Sequence, residues 1–295
     1  MGDENSNRNV TRKQNEPKLL YRCMVDSLKL FDVANLARYS LPMDQQYVKK
    51  VRYAPTILLK GEVYFVGRPE FDASAVFSVP LGDLADDKTV RRFTRRASLI
   101  YEHREALLVS CLNTIYAIGN GFMDARCEKY DTIKDAWTPV PSCSGLKHCV
   151  SAYEAMGFIY TVGDTMAVLG LILRLDTRDE EGRWEDIRLS AEQASSLKRG
   201  PTGIRQVGDH ELLVFGWTRY SHPDRCCRFI ATDGRKANNE RRMRALEDEL
   251  SVIQDATVIN GRLFAVNAFT FKIHVFGLRD RAWQLLSGGY LGSKT

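Results

Sequence analysis

The chain has 295 residues, of which 44% are hydrophobic and 27% are charged. These fractions are typical of a globular protein and exclude a chain that is fibrous or disordered throughout. The 42 Lys and Arg residues exceed the 37 Asp and Glu residues by only five, a basic excess too small for a dedicated nucleic-acid-binding domain, so DNA and RNA are disfavoured as partners.

The N-terminal segment is almost entirely polar. We therefore expect a disordered tail over 1–17 and one folded unit over 18–295. No apolar core of a secretory signal is present, which predicts a cytoplasmic protein, in the cytosol or associated with the cytoskeleton. Gly2 and Ser6 fit the loose myristoylation pattern, but Asp3 and Glu4 argue against lipidation. The longest apolar run, 166–173, is about half the length of a bilayer span, so no membrane span is expected.

A hydrophobic run with an aromatic residue recurs about every 50 residues and ends in Gly or Asn. Its five copies cover 61–67, 113–119, 157–163, 210–216 and 261–267. A second hydrophobic run follows each copy and ends in Asp in three of them, and Trp137, Trp184 and Trp283 come a few residues later. A β-rich pattern with this period predicts the blades of a β-propeller.

Each part of the repeat has a predicted place in a four-stranded antiparallel blade. The run that ends in glycine is expected to be an inner strand, and its glycine to let the chain turn where a side chain would clash with the central channel region. The Asp is expected to accept hydrogen bonds from backbone amides of the next turn. The tryptophan is expected to open the outer strand and to cover the gap between adjacent blades.

These positions resemble the kelch repeat family, and segment 113–140 carries the best single match. The chain departs from the family because none of the five copies keeps a double glycine. The second position holds Arg68, Asn120, Asp164, Trp217 and Ala268. The resemblance implies an all-β propeller that recognises proteins without catalysis.

The N-terminal region supplies the sixth blade of the predicted ring. Segment 19–25 is expected to be one strand, and 27–42 to hold two more, with Asp32 as the turn acid and Tyr39 in the place of the tryptophan. The remaining strand is expected from 289–295, which would close the ring without a free sheet edge. We therefore predict a monomeric six-bladed kelch-type β-propeller closed by both ends of the chain, with five or seven blades as alternatives. Short helices are expected over 238–250 and 190–198.

The loops after the glycine runs are the predicted binding site, because propellers carry function on loops around the axis. These loops combine aromatic residues with basic ones, the composition of protein-recognition hot spots. The residues expected to bind a partner protein are Arg68, Phe122, Arg126, Trp217, Arg219, Tyr220, His222, Phe269 and Lys272.

Patterns of catalysis and metal binding are not found in the sequence. The five histidines are scattered, and the seven cysteines show no zinc or disulfide spacing, so no metal and no cofactor are expected. No nucleophile elbow, P-loop or dinucleotide fingerprint occurs, which predicts that the protein is not an enzyme. Two alternatives stay open: a propeller enzyme with an axial active site, and the substrate-recognition subunit of a ubiquitin ligase whose other module is a separate chain.

The densest basic segment, 91–98, ends in Arg95-Arg96-Ala97-Ser98. This pattern is typical of substrates of basic-directed kinases and makes Ser98 a candidate phosphorylation site. The competing interpretation is an outer strand with alternating exposed arginines.

Overall fold

The computed structural model describes twenty stretches of the chain. They are 19–23, 27–33, 35–51, 54–66, 72–103, 106–119, 125–143, 146, 148–155, 157–164, 171–179, 181–187, 201–208, 211–216, 226–231, 243–244, 253–259, 261–267, 273–277 and 282–285. Their secondary structure is almost entirely β, which confirms the predicted all-β class.

The described strands form six antiparallel sheets, the first with three strands and the others with four. The first sheet holds β1 (Leu19–Cys23), β2 (Ser27–Asp32) and β3 (Ala37–Pro42). The second holds β4 (Thr56–Leu59), β5 (Glu62–Val66), β6 (Val76–Pro80) and β7 (Thr94–Arg96). The third holds β8 (Leu107–Cys111), β9 (Thr114–Ile118), β10 (Ala125–Asp131) and β11 (Ala136–Cys143).

The other three sheets repeat this arrangement of neighbouring strands in chain order. The fourth holds β12 (His148–Ala155), β13 (Phe158–Asp164), β14 (Leu171–Asp176) and β15 (Trp184–Asp186). The fifth holds β16 (Pro201–Gly208), β17 (Glu211–Gly216), β18 (Cys226–Ala231) and β19 (Met243–Arg244). The sixth holds β20 (Ile253–Ile259), β21 (Arg262–Asn267), β22 (Ile273–Gly277) and β23 (Ala282–Leu285).

Among the described residues, hydrophobic side chains pack between neighbouring sheets at five junctions of the ring. The first and second sheets share a core around Leu30 and Phe65, and similar cores join the second sheet to the third, the third to the fourth and the fourth to the fifth. Strand β16 of the fifth sheet lies beside β20 of the sixth. Phe31 of the first sheet packs with Phe264 and Val275 of the sixth, so the ring closes. This is the architecture of a β-propeller, because each sheet hides its faces against two neighbours.

The repeat positions take the places predicted for the acid and the tryptophan. Asp131 Oδ1 accepts hydrogen bonds from the backbone N–H groups of Ile133 (2.8 Å) and Lys134 (3.1 Å). The indole N–H of Trp137, on the outermost strand of the third sheet, donates to the carbonyl of Ala97, beyond the end of β7 in the second sheet (3.0 Å). Trp184 makes the same bond to Pro141 in the preceding sheet (2.8 Å). Each of these indoles therefore ties its sheet to the one before it.

The three-stranded first sheet corresponds to the second, third and fourth strands of the other sheets. Its β2 ends in Asp32, whose carboxylate accepts from the backbone N–H of Asn35 (3.3 Å), as the repeat acids do elsewhere. Tyr39 follows on β3, opposite Leu30. The segment predicted to supply the remaining strand, 289–295, lies outside the described residues, as does the predicted tail over 1–17.

The helices of the structure differ from those predicted. A helix that the sequence analysis missed, α1 (Gln45–Val51), joins the first sheet to the second and buries Val48 and Val51. Asp44 caps it by accepting from the N–H of Gln46 (2.9 Å). The helix predicted over 238–250 is wrong at Met243–Arg244, where the backbone pairs with Cys226 and Cys227 as a fourth strand. The rest of that segment and 190–198 lie outside the described residues.

Within the described stretches, no helix has the length and apolar character that a membrane span requires.

Candidate binding surface

The ring has two faces that differ in the connections they carry. We call the glycine face the one where second strands end and third strands begin, as at Ile118 and Ala125. Because the strands of each sheet alternate in direction, the connections from one sheet to the next also start and end on this face. We call the opposite face the hairpin face. It carries the turns that join first strands to second strands and third strands to fourth strands, such as the turn at Leu112 and Asn113 between β8 and β9. All predicted binding loops connect strand ends on the glycine face.

Arg126 is the predicted binding residue that the structure describes. The other eight lie outside the described residues and stay predictions. They are Arg68, Phe122, Trp217, Arg219, Tyr220, His222, Phe269 and Lys272.

Arg126 lies near the start of β10 with its side chain exposed on the glycine face. Its guanidinium carbon lies 4.9 Å from the centroid of the Tyr101 ring. A guanidinium held over an aromatic ring can still donate its N–H groups to a carboxylate or a carbonyl, and it loses little further conformational freedom on binding. This pair is therefore preorganised for binding.

A buried polar pair, His103 and Glu128, holds the segment that carries Tyr101. His103 Nε2 lies 2.8 Å from Glu128 Oε1, and the two side chains are 2% and 0% exposed. The Glu128 carboxylate also accepts from the backbone N–H groups of Ile100 (2.8 Å) and Tyr101 (3.2 Å). Three hydrogen bonds to one buried carboxylate fix the segment that carries Tyr101.

Gly119 makes room for this pair. A Cβ added at Gly119 would lie 1.6 Å from His103 Nδ1, closer than any non-bonded contact allows. The sequence predicts that a side chain at this glycine would clash with the central channel region, and the structure shows which group such a side chain would meet. The clash is with the imidazole of the connection between the second and third sheets.

Sequence reasoning missed His103 and Glu128 as parts of this surface. The available signal was a lone acid in the strand Cys127-Glu128-Lys129-Tyr130, where Cys127 and Tyr130 are buried as well. A carboxylate inside such a strand must find donors, but the sequence does not say that the donors come from another connection. Because His103 is packed on Gly119 and both oxygens of Glu128 are occupied, the pair can orient Tyr101 but offers no open position to a substrate.

Within the described part of the chain, no group of three His, Cys, Asp or Glu side chains is placed to hold a metal ion.

A second arginine–aromatic arrangement lies on the hairpin face. Phe158 has the guanidinium carbons of Arg178 and Arg174 at 4.5 Å and 4.9 Å from its ring centroid. Both arginines form ion pairs, Arg178 with Asp176 (2.7 Å) and Arg174 with Glu185. Among the described residues no ion pair with Arg126 is found, whereas these two arginines are paired with carboxylates.

Ser98, the predicted phosphorylation site, is exposed and lies just beyond β7. The competing interpretation of 91–98, an outer strand with alternating exposed arginines, is confirmed at Thr94–Arg96 and wrong for the rest of the segment. Only Thr94–Arg96 forms a strand, and Arg91 is buried.

Comparison with known proteins agrees with the propeller architecture. A chain in the crystal structure of a nidogen/laminin complex superposes with a TM-score of 0.63 at 9% sequence identity, covering 90% of this chain and 91% of that chain. At this identity the likeness shows the fold alone. No family model matches the chain, and no curated protein matches it. Membership of the kelch family therefore stays a prediction.

Proposed function

We propose that this protein is a non-catalytic interaction module, a scaffold or adaptor that binds a partner protein through the glycine face of its propeller. The observation that carries the proposal is the exposed Arg126 stacked on Tyr101, with its support fixed by buried Glu128 and His103. Preorganised aromatic and arginine side chains supply most of the binding energy in protein interfaces. The structural neighbour belongs to a nidogen/laminin complex, which is compatible with a propeller that binds proteins.

The proposal extends to the finer architecture. We infer a six-bladed ring of the kelch type in which 289–295 completes the first sheet, because that sheet has the second, third and fourth strands of a blade. The monomeric state and the cytosolic location are part of the same proposal. The four cysteines whose side chains are described carry free thiols, although Cys127 and Cys143 have their sulfur atoms only 3.6 Å apart, which fits a reducing compartment.

The test compares two arginines that both stack on an aromatic ring. Tagged wild-type protein, Arg126→Ala and Arg178→Ala are used for affinity purification from the same lysate, and bound proteins are quantified by mass spectrometry. We expect Arg126→Ala to lose at least one protein that wild type and Arg178→Ala retain, because Arg126 lies on the glycine face and Arg178 on the hairpin face.

Folding of each variant is checked first by thermal unfolding, so that a lost partner is not a lost fold. If Arg178→Ala loses partners and Arg126→Ala does not, binding occurs on the hairpin face and the proposal is wrong. Unchanged partner sets in both variants would also contradict it.

A further inference from the structure

The basic segment holds two consecutive copies of one pattern, two arginines followed by any residue and then Ser or Thr. The first copy is Arg91-Arg92-Phe93-Thr94 and the second is Arg95-Arg96-Ala97-Ser98. Kinases that recognise this pattern bind the arginine three residues before the hydroxyl through acidic groups of their own. By sequence alone, Thr94 and Ser98 are equivalent acceptors.

In the first copy, the arginine that a kinase would bind is buried and hydrogen-bonded within the fold. The side chain of Arg91 is 7% exposed and donates to the carbonyl oxygens of Leu81 (3.0 Å), Thr89 (2.9 Å) and Asp83 (2.7 Å). Its backbone N–H donates to the carbonyl of Pro42 (2.8 Å). A kinase could take this guanidinium only by breaking a buried network, which is expensive because each carbonyl would lose its donor.

The hydroxyl of the first copy is also constrained. Thr94 belongs to β7, where it pairs with Ser78 of β6. Arg95 and Arg96 are paired in the same strand, with Phe77 and Val76, so opening of β7 would release Thr94 together with them. The two copies therefore differ mainly in the buried Arg91.

In the second copy, the first arginine and the serine have exposed side chains. The side chain of Arg95 is 62% exposed, and its contact is an exposed ion pair with Asp72 (3.3 Å). Such surface pairs contribute little to stability, so a kinase can replace Asp72 with its own carboxylates. Ser98 is exposed and lies beyond the last paired residue of the strand.

Release of the second copy involves more than one residue. Leu99, which follows Ser98, is buried and donates its N–H to the carbonyl of Ser74 (2.8 Å), and Arg96 is held through its side chain. It pairs with Glu62 (2.8 Å) and donates to Ser78 Oγ (2.8 Å), with its side chain 25% exposed. Strand β7 has three residues and lies at the outer edge of its sheet, so its local opening costs far less than global unfolding.

We propose that Ser98, and not Thr94, is a phosphorylation site for a basic-directed serine kinase acting on the folded protein. The γ-phosphoryl group of ATP is transferred to Ser98 Oγ, the bond from its phosphorus to the ADP oxygen breaks, and the hydroxyl proton passes to the kinase base. The inference is independent of the proposed partner-binding function.

The site lies where added charge would act on the junction of two sheets. Ser98 follows Ala97, whose N–H donates to Asp135 Oδ1 (3.0 Å) and whose carbonyl accepts from Trp137 (3.0 Å), both from the third sheet. A phosphate brings up to about two negative charges next to the carboxylate of Asp135.

The experiment uses the full folded chain, the catalytic subunit of cyclic-AMP-dependent protein kinase and Mg-ATP, with sites mapped by mass spectrometry. A synthetic peptide covering 88–101 shows how the kinase treats both copies without the fold. We expect Ser98 to be phosphorylated in the folded chain and Thr94 to stay unmodified, whereas the peptide accepts phosphate on both. Arg95→Gln should slow Ser98 phosphorylation about tenfold or more, and Arg92→Gln, an exposed arginine outside the second copy, should leave it unchanged.

Two results would overturn the proposal. One is a folded chain that stays unphosphorylated at Ser98 while the peptide is modified there. The other is equal modification of Thr94 and Ser98 in the folded chain, which would show that the fold does not distinguish the two copies.

Discussion

Gly119 and His103 illustrate how a single missing Cβ positions a surface. The imidazole occupies the space in which a side chain at 119 would lie, and its bond to Glu128 fixes the segment carrying Tyr101. Thus the exposed stack of Arg126 on Tyr101 depends on a residue with no side chain.

Substitution of Gly119 by Ala should therefore be strongly destabilising. We expect the free energy of unfolding, measured by urea denaturation, to fall by about 2–4 kcal/mol, since His103 must leave its place and Glu128 loses a donor. The matched control is Gly61→Ala, where nothing lies within 4 Å of the added Cβ but φ is +73°. That variant should lose about 1–2 kcal/mol through backbone strain alone. Equal losses in the two variants would show that His103 yields easily.

At the scale of elements, the 131–135 turn of the third sheet connects that sheet to the second. Asp135 accepts from the backbone N–H of Ala97 and from the hydroxyl of Tyr130, whose ring lies 5.0 Å from that of Trp137. These two hydrogen bonds hold the pKa of Asp135 below its usual value. Since the folded pKa is depressed, the charged carboxylate stabilises the fold above the unfolded pKa, and this contribution is lost as the pH falls through the folded pKa.

The Asp135→Asn variant should show this dependence directly. At about pH 7 it should be less stable than wild type by about 1 kcal/mol or less, because the carboxylate is largely exposed to solvent. The difference should shrink as the pH is lowered past about 4, where carboxylates protonate. Urea denaturation at a series of pH values measures it, with the exposed Asp87→Asn as control. A difference that does not change with pH would mean that the charge of Asp135 contributes nothing at this junction.

The sequence was sufficient to predict the elements that repeat. Asp131 and Trp137 occupy positions defined by local pattern, and each acts on a neighbouring backbone group that any residue provides. Helix α1 has seven residues and occurs once, so no periodicity indicated it. Arg91, His103 and Glu128 were missed for a related reason: their partners are distant in sequence, and burial of a charged group is decided by contacts that a local pattern does not contain. Of the residues predicted to bind a partner, Arg126 lies in the described part of the chain, where its side chain is exposed on the glycine face.

At the scale of the whole molecule, the first sheet has three strands where the others have four. If 289–295 supplies the missing strand, a chain ending at residue 288 leaves an open edge in the ring. We expect this truncation to lower the midpoint of thermal unfolding by several degrees and to broaden the transition, because closure couples the first and last sheets.

Deletion of residues 2–17 is the matched control for this truncation. That segment is expected to be disordered, so its loss should leave the thermal midpoint unchanged. If the two deletions had equal effects, closure by the C-terminal segment would be excluded.

The contact between the first and last sheets also bears on how freely the chain could be rearranged. Phe31 and Phe264 belong to opposite ends of the sequence but to one core, so the order of neighbours around the ring has no fixed starting point. In a circularly permuted gene, the old ends would be joined by a flexible linker and the new ends placed at Ile133, whose side chain is 89% exposed at a turn. Such a gene would encode the same succession of sheets around the ring. The order of sheets around the ring therefore does not depend on which sheet the chain forms first.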